Sequence, residues 1–295
     1  MLRVFGTKLA YKSRDIWIVC YFICSILWIS GCAAPAGLPL SAVTAEIPDR
    51  VQSLRPAEAI LLGEQHDNPD HQRIHRDVVE TLAAQGALGA LVIEMATQGN
   101  TTTGVAKTAS ETEVRTTLIW DDRAWPWDAY APAIMAAVRA GVLVVGANFP
   151  REQMRQAAAS SSLEGRLDAA ALKRQQELVR EGHCDTLPSS QIAPMTRIQI
   201  ARDVAMASTV EKAAQAAPGK TVVLIAGSVH ADKAVGVPRH LPASLRVKSV
   251  LLSADAQAPG SEDASGYDAV WQTLAIALKD YCAELRGKPG QTPGK

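Results

Sequence analysis

The chain has 295 residues, 47% of them hydrophobic and 20% charged, with 30 Lys and Arg against 30 Asp and Glu. That composition excludes a disordered acidic or basic tail, a collagen-like repeat and a small disulfide scaffold, and the length suits one large domain or two modest ones. With zero formal charge there is no basic excess to displace counterions from phosphates, so no nucleic-acid partner is expected.

In chain order, the first segment carries Arg3, Lys8, Lys12 and Arg14 and leads into an apolar run over 16–29. This is the design of a secretory signal and is short for a comfortable membrane span, a short transmembrane anchor being the competing reading. Ile29-Ser30-Gly31-Cys32 resembles a bacterial lipobox, whose Cys is acylated and becomes the new N-terminus. Residues 1–31 are therefore read as a signal peptide, and Cys32 as the lipidation site that attaches the chain to lipid. Ala33 stands where an Asp would direct retention at the inner membrane. The expected address is the cell envelope, as an outer-membrane lipoprotein facing the periplasm or the surface. Removing 1–31 leaves 26 basic against 29 acidic residues and, once Cys32 is acylated, only Cys184 and Cys282 as thiols. In an oxidising envelope that pair is either one disulfide or two separate thiols, and its spacing matches neither a zinc ribbon nor a Cys-x-x-Cys redox motif.

Residues 32–49, rich in Ala, Pro and Gly, read as a flexible tether, with folded structure from about Arg50. Apolar runs at 59–62, 90–93, 142–146, 221–226 and 247–252 have the length and the Val, Ile and Leu content of strands buried on both faces. They predict an α/β fold with a mostly parallel central sheet flanked by helices. Asn68-Pro69 opens a helix expected to stop at Gly86, and 131–140 reads as another ended by Gly141. The Thr-rich stretch 97–117 reads as loop plus a short helix. Between the third and fourth strands, 151–217 holds no strand candidate and reads as an inserted all-helical lobe. The α/β domain is placed at 50–286, and the Gly- and Pro-rich end, 287–295, as a disordered tail.

In a parallel sheet, ligands gather at the carboxyl ends of the strands. The first run ends in Gly63-Glu64-Gln65-His66, the second in Glu94 and the fourth in Gly227-Ser228-Val229-His230. Glu64, His66, Glu94 and His230 are thus expected on one rim, a set able to ligate a metal, activate water or grip a cofactor. His71 and His75, four apart behind Pro69, share a helix face that is either an addition to that site or a solvated polar face. Four of the eight aromatics after Cys32 fall in WDDRAWPWDAY (120–130), which is either a packed lid or a platform for a planar ligand. Tyr130 within it is a candidate oxygen ligand to ferric iron. Arg202-Asp203, on the helix leading to the fourth strand, either lock a rim carboxylate or form a surface ion pair.

The segments ILLGEQHDNPDHQRIHRDVVETL, ALVIEMA, WPWDAYAPAI, GHCDTLP with QIARDVAMA, and IAGSVHADKAVGVPRHL resemble the ChaN-like haem-binding lipoproteins of the wider Tiki, TraB and erythromycin-esterase-like superfamily. The resemblance implies a sheet flanked by helices with a smaller helical lobe, haem bound in or near the cleft, often at a homodimer interface, and a role with the haem or iron uptake machinery. The paired GExH and GxxH motifs of that superfamily fall on Gly63, Glu64 and His66 and on Gly227 and His230, and its Arg-Asp signature on Arg202 and Asp203. Candidates for the haem ligand are His66, His71 and Tyr130 in that order, with Glu64, His230 and Arg202 also at the cofactor. The alternative function is a hydrolase, an esterase or peptidase, in which Glu64 or Glu94 acts as base and His66 and His230 hold water, substrate or a divalent metal.

Overall fold

The computed structural model describes residues 47–254, 262–274 and 282–283. The expected signal, Cys32, most of the tether and the tail lie outside the described residues. Helix α1 (Ile47–Ser53) starts ahead of Arg50, because Ile47 and Val51, one turn apart, both bury completely. Strand β1 (Ala59–Glu64) follows, then α2 (Pro69–Ala84), β2 (Leu88–Thr97), α3 (Glu111–Thr117), α4 (Trp127–Ala140) and β3 (Leu143–Asn148). The stretch 151–217 is helical where it is regular: α5 (Met154–Ala159), α6 (Ala169–Gly182) and α7 (Ser189–Ala216), with short 3₁₀ turns before and after α5. Strand β4 (Thr221–Gly227), the one-turn α8 (Ser228–Ala231), β5 (Val247–Ser253) and β6 (Ala269–Gln272) complete the described strands and α-helices, with 3₁₀ turns at Val237–His240 and Glu262–Gly266.

The six strands form one sheet in the order β3-β2-β4-β1-β5-β6, parallel throughout. The five apolar runs of the sequence are its first five strands. Strand β6 is short and half-buried, with only Trp271 fully covered, and lacks the apolar run that marks the others.

Alternation along each inner strand divides the core into two layers. Ile60 and Leu62 of β1, Leu91 and Ile93 of β2, and Val223 and Ile225 of β4 pack with α2 and α4. Ala59 and Leu61, Ala90 and Val92, and Val222 and Leu224 pack with Met206, Ala207 and Val210 of α7. Each fully buried Leu, Ile or Val contributes about 1.5–3 kcal/mol, so a one-residue slip that exchanged the layers is excluded by packing alone. The helix ends follow the sequence signals. Asn68 caps α2 through its side chain, which accepts from the Asp70 N–H, and Gly141 ends α4 with φ 74°.

Candidate functional site

Strands β1 and β4 are neighbours with Glu64 opposite Gly227, so the GEQH and GSVH turns leave the sheet side by side at its carboxyl edge. Alternation sends the two rim carboxylates to opposite faces. Glu64 continues the Ile60, Leu62 row toward α2 and α4, whereas Glu94 continues the Ala90, Val92 row toward α7. His66 sits across the edge between them.

On the α2 and α4 face, Glu64 is buried and its Oε1 accepts two hydrogen bonds, from the Tyr130 hydroxyl at 2.8 Å and from His66 Nδ1–H at 2.8 Å. Because the carboxylate can only accept, the His66 proton is fixed on Nδ1 and Nε2 carries the lone pair. Among the described residues Nε2 makes no hydrogen bond, and the His66 side chain remains 39% exposed. Trp125 braces the ring edge-on at 4.8 Å between centroids. Burial draws protons off His66, but the Glu64 hydrogen bond and the charge of Glu94 outweigh it, so its pKa is raised. Tyr130 is pushed up as well. Burial and the anionic Glu64 raise its pKa, which keeps it a neutral phenol.

His71 and His75 lie on one face of α2, and that face is buried rather than solvated. His71 accepts the Gln65 N–H at Nδ1 (2.9 Å) and presents Nε2–H to Thr273 Oγ1 (3.2 Å), so neither ring nitrogen is offered to a ligand. Burial first and the nearby His75 second lower its pKa to about 4. His75 is also held neutral by burial; its Nδ1 lies 3.7 Å from Glu64 Oε2, and both ring nitrogens and that oxygen lack hydrogen-bond partners.

On the α7 face, Glu94 binds Arg202 through Oε1 and accepts the Gly227 N–H through Oε2 at 2.8 Å. Burial would raise the Glu94 pKa, but His230, Arg202, His66 and the Gly227 N–H together hold it down at about 2. Arg202 is braced by Asn148 Oδ1 and Gln199 Oε1, each at 3.2 Å. His230 donates from Nδ1 to the buried Asp203 at 2.6 Å and turns Nε2 toward Glu94 Oε1 at 3.7 Å. Burial raises the Asp203 pKa, the adjacent His230 pulling back without cancelling it. Arg202 and Asp203, adjacent in sequence, therefore serve different partners, and with Asp203 buried they are no surface pair.

Two glycines make the edge this tight. A Cβ on Gly227 would stand 3.0 Å from His66 Nε2, and one on Gly63 would stand 3.0 Å from the Ser228 backbone and from Ala231 Cβ. The GEQH and GSVH motifs thus carry their glycines for close approach as well as their acids and imidazoles for chemistry.

The sequence did not signal the individual partners. The Asp203–His230 pair, the approach of His75 to Glu64 and the brace of Trp125 on His66 all join residues distant along the chain. His66 and His230 are not brought into a metal cluster, and among the described residues no three of His, Cys, Asp and Glu are placed to hold an ion. Cys184 and Cys282 are joined by a disulfide.

The fold and rim define a parallel α/β protein with an acid and imidazole edge fed from both faces of the sheet. The family profile described as haem-binding uptake, Tiki superfamily, ChaN matches residues 50–241, and the chain belongs to that family. A solved structure described as cofacial heme binding to ChaN of Campylobacter jejuni is similar in fold, with a TM-score of 0.61 and 22% identity over 75% of this chain and 89% of that one. The structure of the type III effector HopBA1 matches at a TM-score of 0.44 and 16% identity, over 82% of this chain and 96% of that one. No curated protein matches the chain.

Proposed function

We propose that the chain binds haem at the carboxyl edge of the sheet, with His66 as the iron ligand. The observation that carries this is the state of one imidazole: Nδ1–H is anchored on a buried carboxylate that Tyr130 also holds, Nε2 makes no hydrogen bond among the described residues, and the side chain is 39% exposed. A carboxylate behind a ligating histidine fixes its tautomer and raises its basicity. His71 has both nitrogens engaged and Tyr130 is a phenol hydrogen-bonded to an anion, so each fits iron less well in this arrangement. The rim adjoins a groove of about 430 Å³ lined by Gln72, Arg73, Arg76 and Ala129, and Gln72 also donates to the His66 carbonyl. Its two guanidinium groups are each already paired, Arg73 with Asp70 and Arg76 with Asp77, and Asp70 and Asp128 also line the groove. A haem held at the rim would supply a ferric iron, and the His66 imidazole would be its protein donor.

The test is a hemin titration followed by absorption. Wild type is expected to saturate at a defined stoichiometry, His66→Ala to move the Soret band and weaken binding, and His71→Gln to leave the band in place. A band unmoved by His66→Ala and moved by Tyr130→Phe assigns the iron to Tyr130 instead.

We further propose that the protein works as an outer-membrane lipoprotein anchored through acylated Cys32, as a homodimer, passing haem to or from uptake machinery. Support comes from the lipobox-like sequence at 29–32, from membership of an uptake family and from the cofacial haem described for the Campylobacter relative. Metabolic labelling with a palmitate analogue, lost in Cys32→Ser, tests the anchor.

A second reading, hydrolysis, is favoured by the Asp203–His230 pair, which resembles the acid and imidazole half of a catalytic triad. Glu94, held near 2 and fully engaged, is a weak base, so Glu64 is the carboxylate this reading would use. Turnover of model esters or peptides that disappears in both Glu64→Ala and His230→Ala would support it.

A further inference from the structure

A second cavity lies away from the rim. It is a groove of about 1020 Å³ on the α7 face of the sheet, between α7 and the edge strand β3. One wall is Leu143 and Val145, alternate residues of β3; the other is Ala201, Ala205, Ala213 and Ala216 of α7. Parallel sheets ordinarily have both faces covered, yet Leu143 is left 39% exposed here. The small residues of α7 leave open the space that longer side chains would fill.

The two ends of the groove differ. Near the carboxyl edge it is closed by Phe149, Gln98 and Leu163. At the amino ends of the strands it is lined by Lys212 and Lys220, and the Lys107 side chain lies against Gly141 at the same end. Among the described residues none of these three lysines forms an ion pair with an acid. Lys212 alone would be explained by the carbonyl end of α7, but Lys107 and Lys220 come from outside the helix. Six residues of β3 make the groove about 20 Å long. One bilayer leaflet, which is one lipid chain deep, is about 15 Å.

We propose that this groove binds a long-chain fatty acid, its hydrocarbon chain between β3 and α7 and its carboxylate at Lys107, Lys212 and Lys220. A single chain fits the length, three unpaired cations at one end fit one anionic head, and the volume lies at the upper end of small-ligand sites. The lysine end of the groove is at the opposite end of the strands from the rim, and the proposal does not rest on the haem reading.

The full-length protein, treated with a palmitate bearing a photoactivated diazirine on its chain and digested for mass spectrometry, decides it. Label is expected on the peptides containing Leu143, Val145 and Ala205, blocked by excess palmitate and not by hexadecanol. Leu143→Trp should suppress it, and Lys107→Glu with Lys212→Glu and Lys220→Glu should lower labelling at limiting probe by roughly threefold or more. The triple variant touches no core residue, so it remains informative where Leu143→Trp fails to fold. Label that spreads outside the groove, or that both variants leave unchanged, overturns the proposal. Loss of the hemin Soret band in both variants, with hemin displacing the label, overturns it too, by making the groove the porphyrin site.

Discussion

Glu64 sets the proton positions of its neighbours, and that can be read out. Its Oε1 orders His66 and Tyr130 at once, so Glu64→Gln removes the charge that raises the His66 pKa. The His66 Cε1–H titration followed by NMR is expected to move to lower pH in Glu64→Gln; an unchanged midpoint would mean the charge of Glu94 dominates. His71 makes a complementary test. Its folded pKa, about 4, lies below the ordinary 6.5, so on acidification the unfolded chain takes up a proton first. Stability is therefore lost as pH falls from about 6.5 toward 4, by up to about 3 kcal/mol from this group, since one unit corresponds to about 1.4 kcal/mol. His71→Gln, which can still accept from the Gln65 N–H, should flatten that part of the profile in urea unfolding at successive pH values. A slope equal to wild type would show that His75 or His240, whose pKa values burial also lowers, carries the effect.

At the scale of elements, the carboxyl edge is held by pairs that tie one element to another. Arg202 of α7 grips Glu94 of β2 while Gly227, at the end of β4, donates to the same carboxylate. Replacing Arg202 by Met leaves a buried anion without its guanidinium partner, expected to cost about 3–5 kcal/mol in chemical denaturation. Removing both charges, as Arg202→Met with Glu94→Met, should recover much of that loss. A double variant as unstable as the single one would show that Glu94 is needed for its bond to Gly227 more than for its charge. Elements of this kind were legible in the sequence wherever burial left a period. The continuous runs of β1 to β5, the Asn68 cap and the Gly141 stop all state local physics in local residues. Strand β6 was not, because only Trp271 of its four residues is buried and the other three leave no pattern. The rim was legible as a set, since GEQH, Glu94 and GSVH each end a strand, whereas the assignment of Asp203 to His230 and Arg202 to Glu94 depends on how α7 rotates over the sheet. Alternation could have shown one thing more: Glu64 and Glu94 stand on opposite parities relative to their apolar rows, which places them on opposite faces.

At the scale of the whole molecule, the Cys184–Cys282 bond closes a loop across 98 positions, from the end of α6 to a point beyond β6. Closing so long a loop restricts the unfolded chain, and the entropic model gives about 5 kcal/mol. Cys184→Ser and Cys282→Ser are each expected to lower the urea midpoint to that of the reduced wild type, and reductant should then have no further effect on either. The same bond also reports compartment, because such a pair stays reduced in a cytosol and oxidises in an envelope. Counting free thiols in the full-length chain isolated from a Gram-negative host, beside a version beginning at Cys32 and kept in the cytosol, compares the two. With export, alkylation should reach neither Cys184 nor Cys282 until reductant is added, while the cytosolic version should be alkylated at both. Equal alkylation of the two proteins would argue that the first 31 residues do not direct export, and the envelope address would fall while the rim chemistry stood.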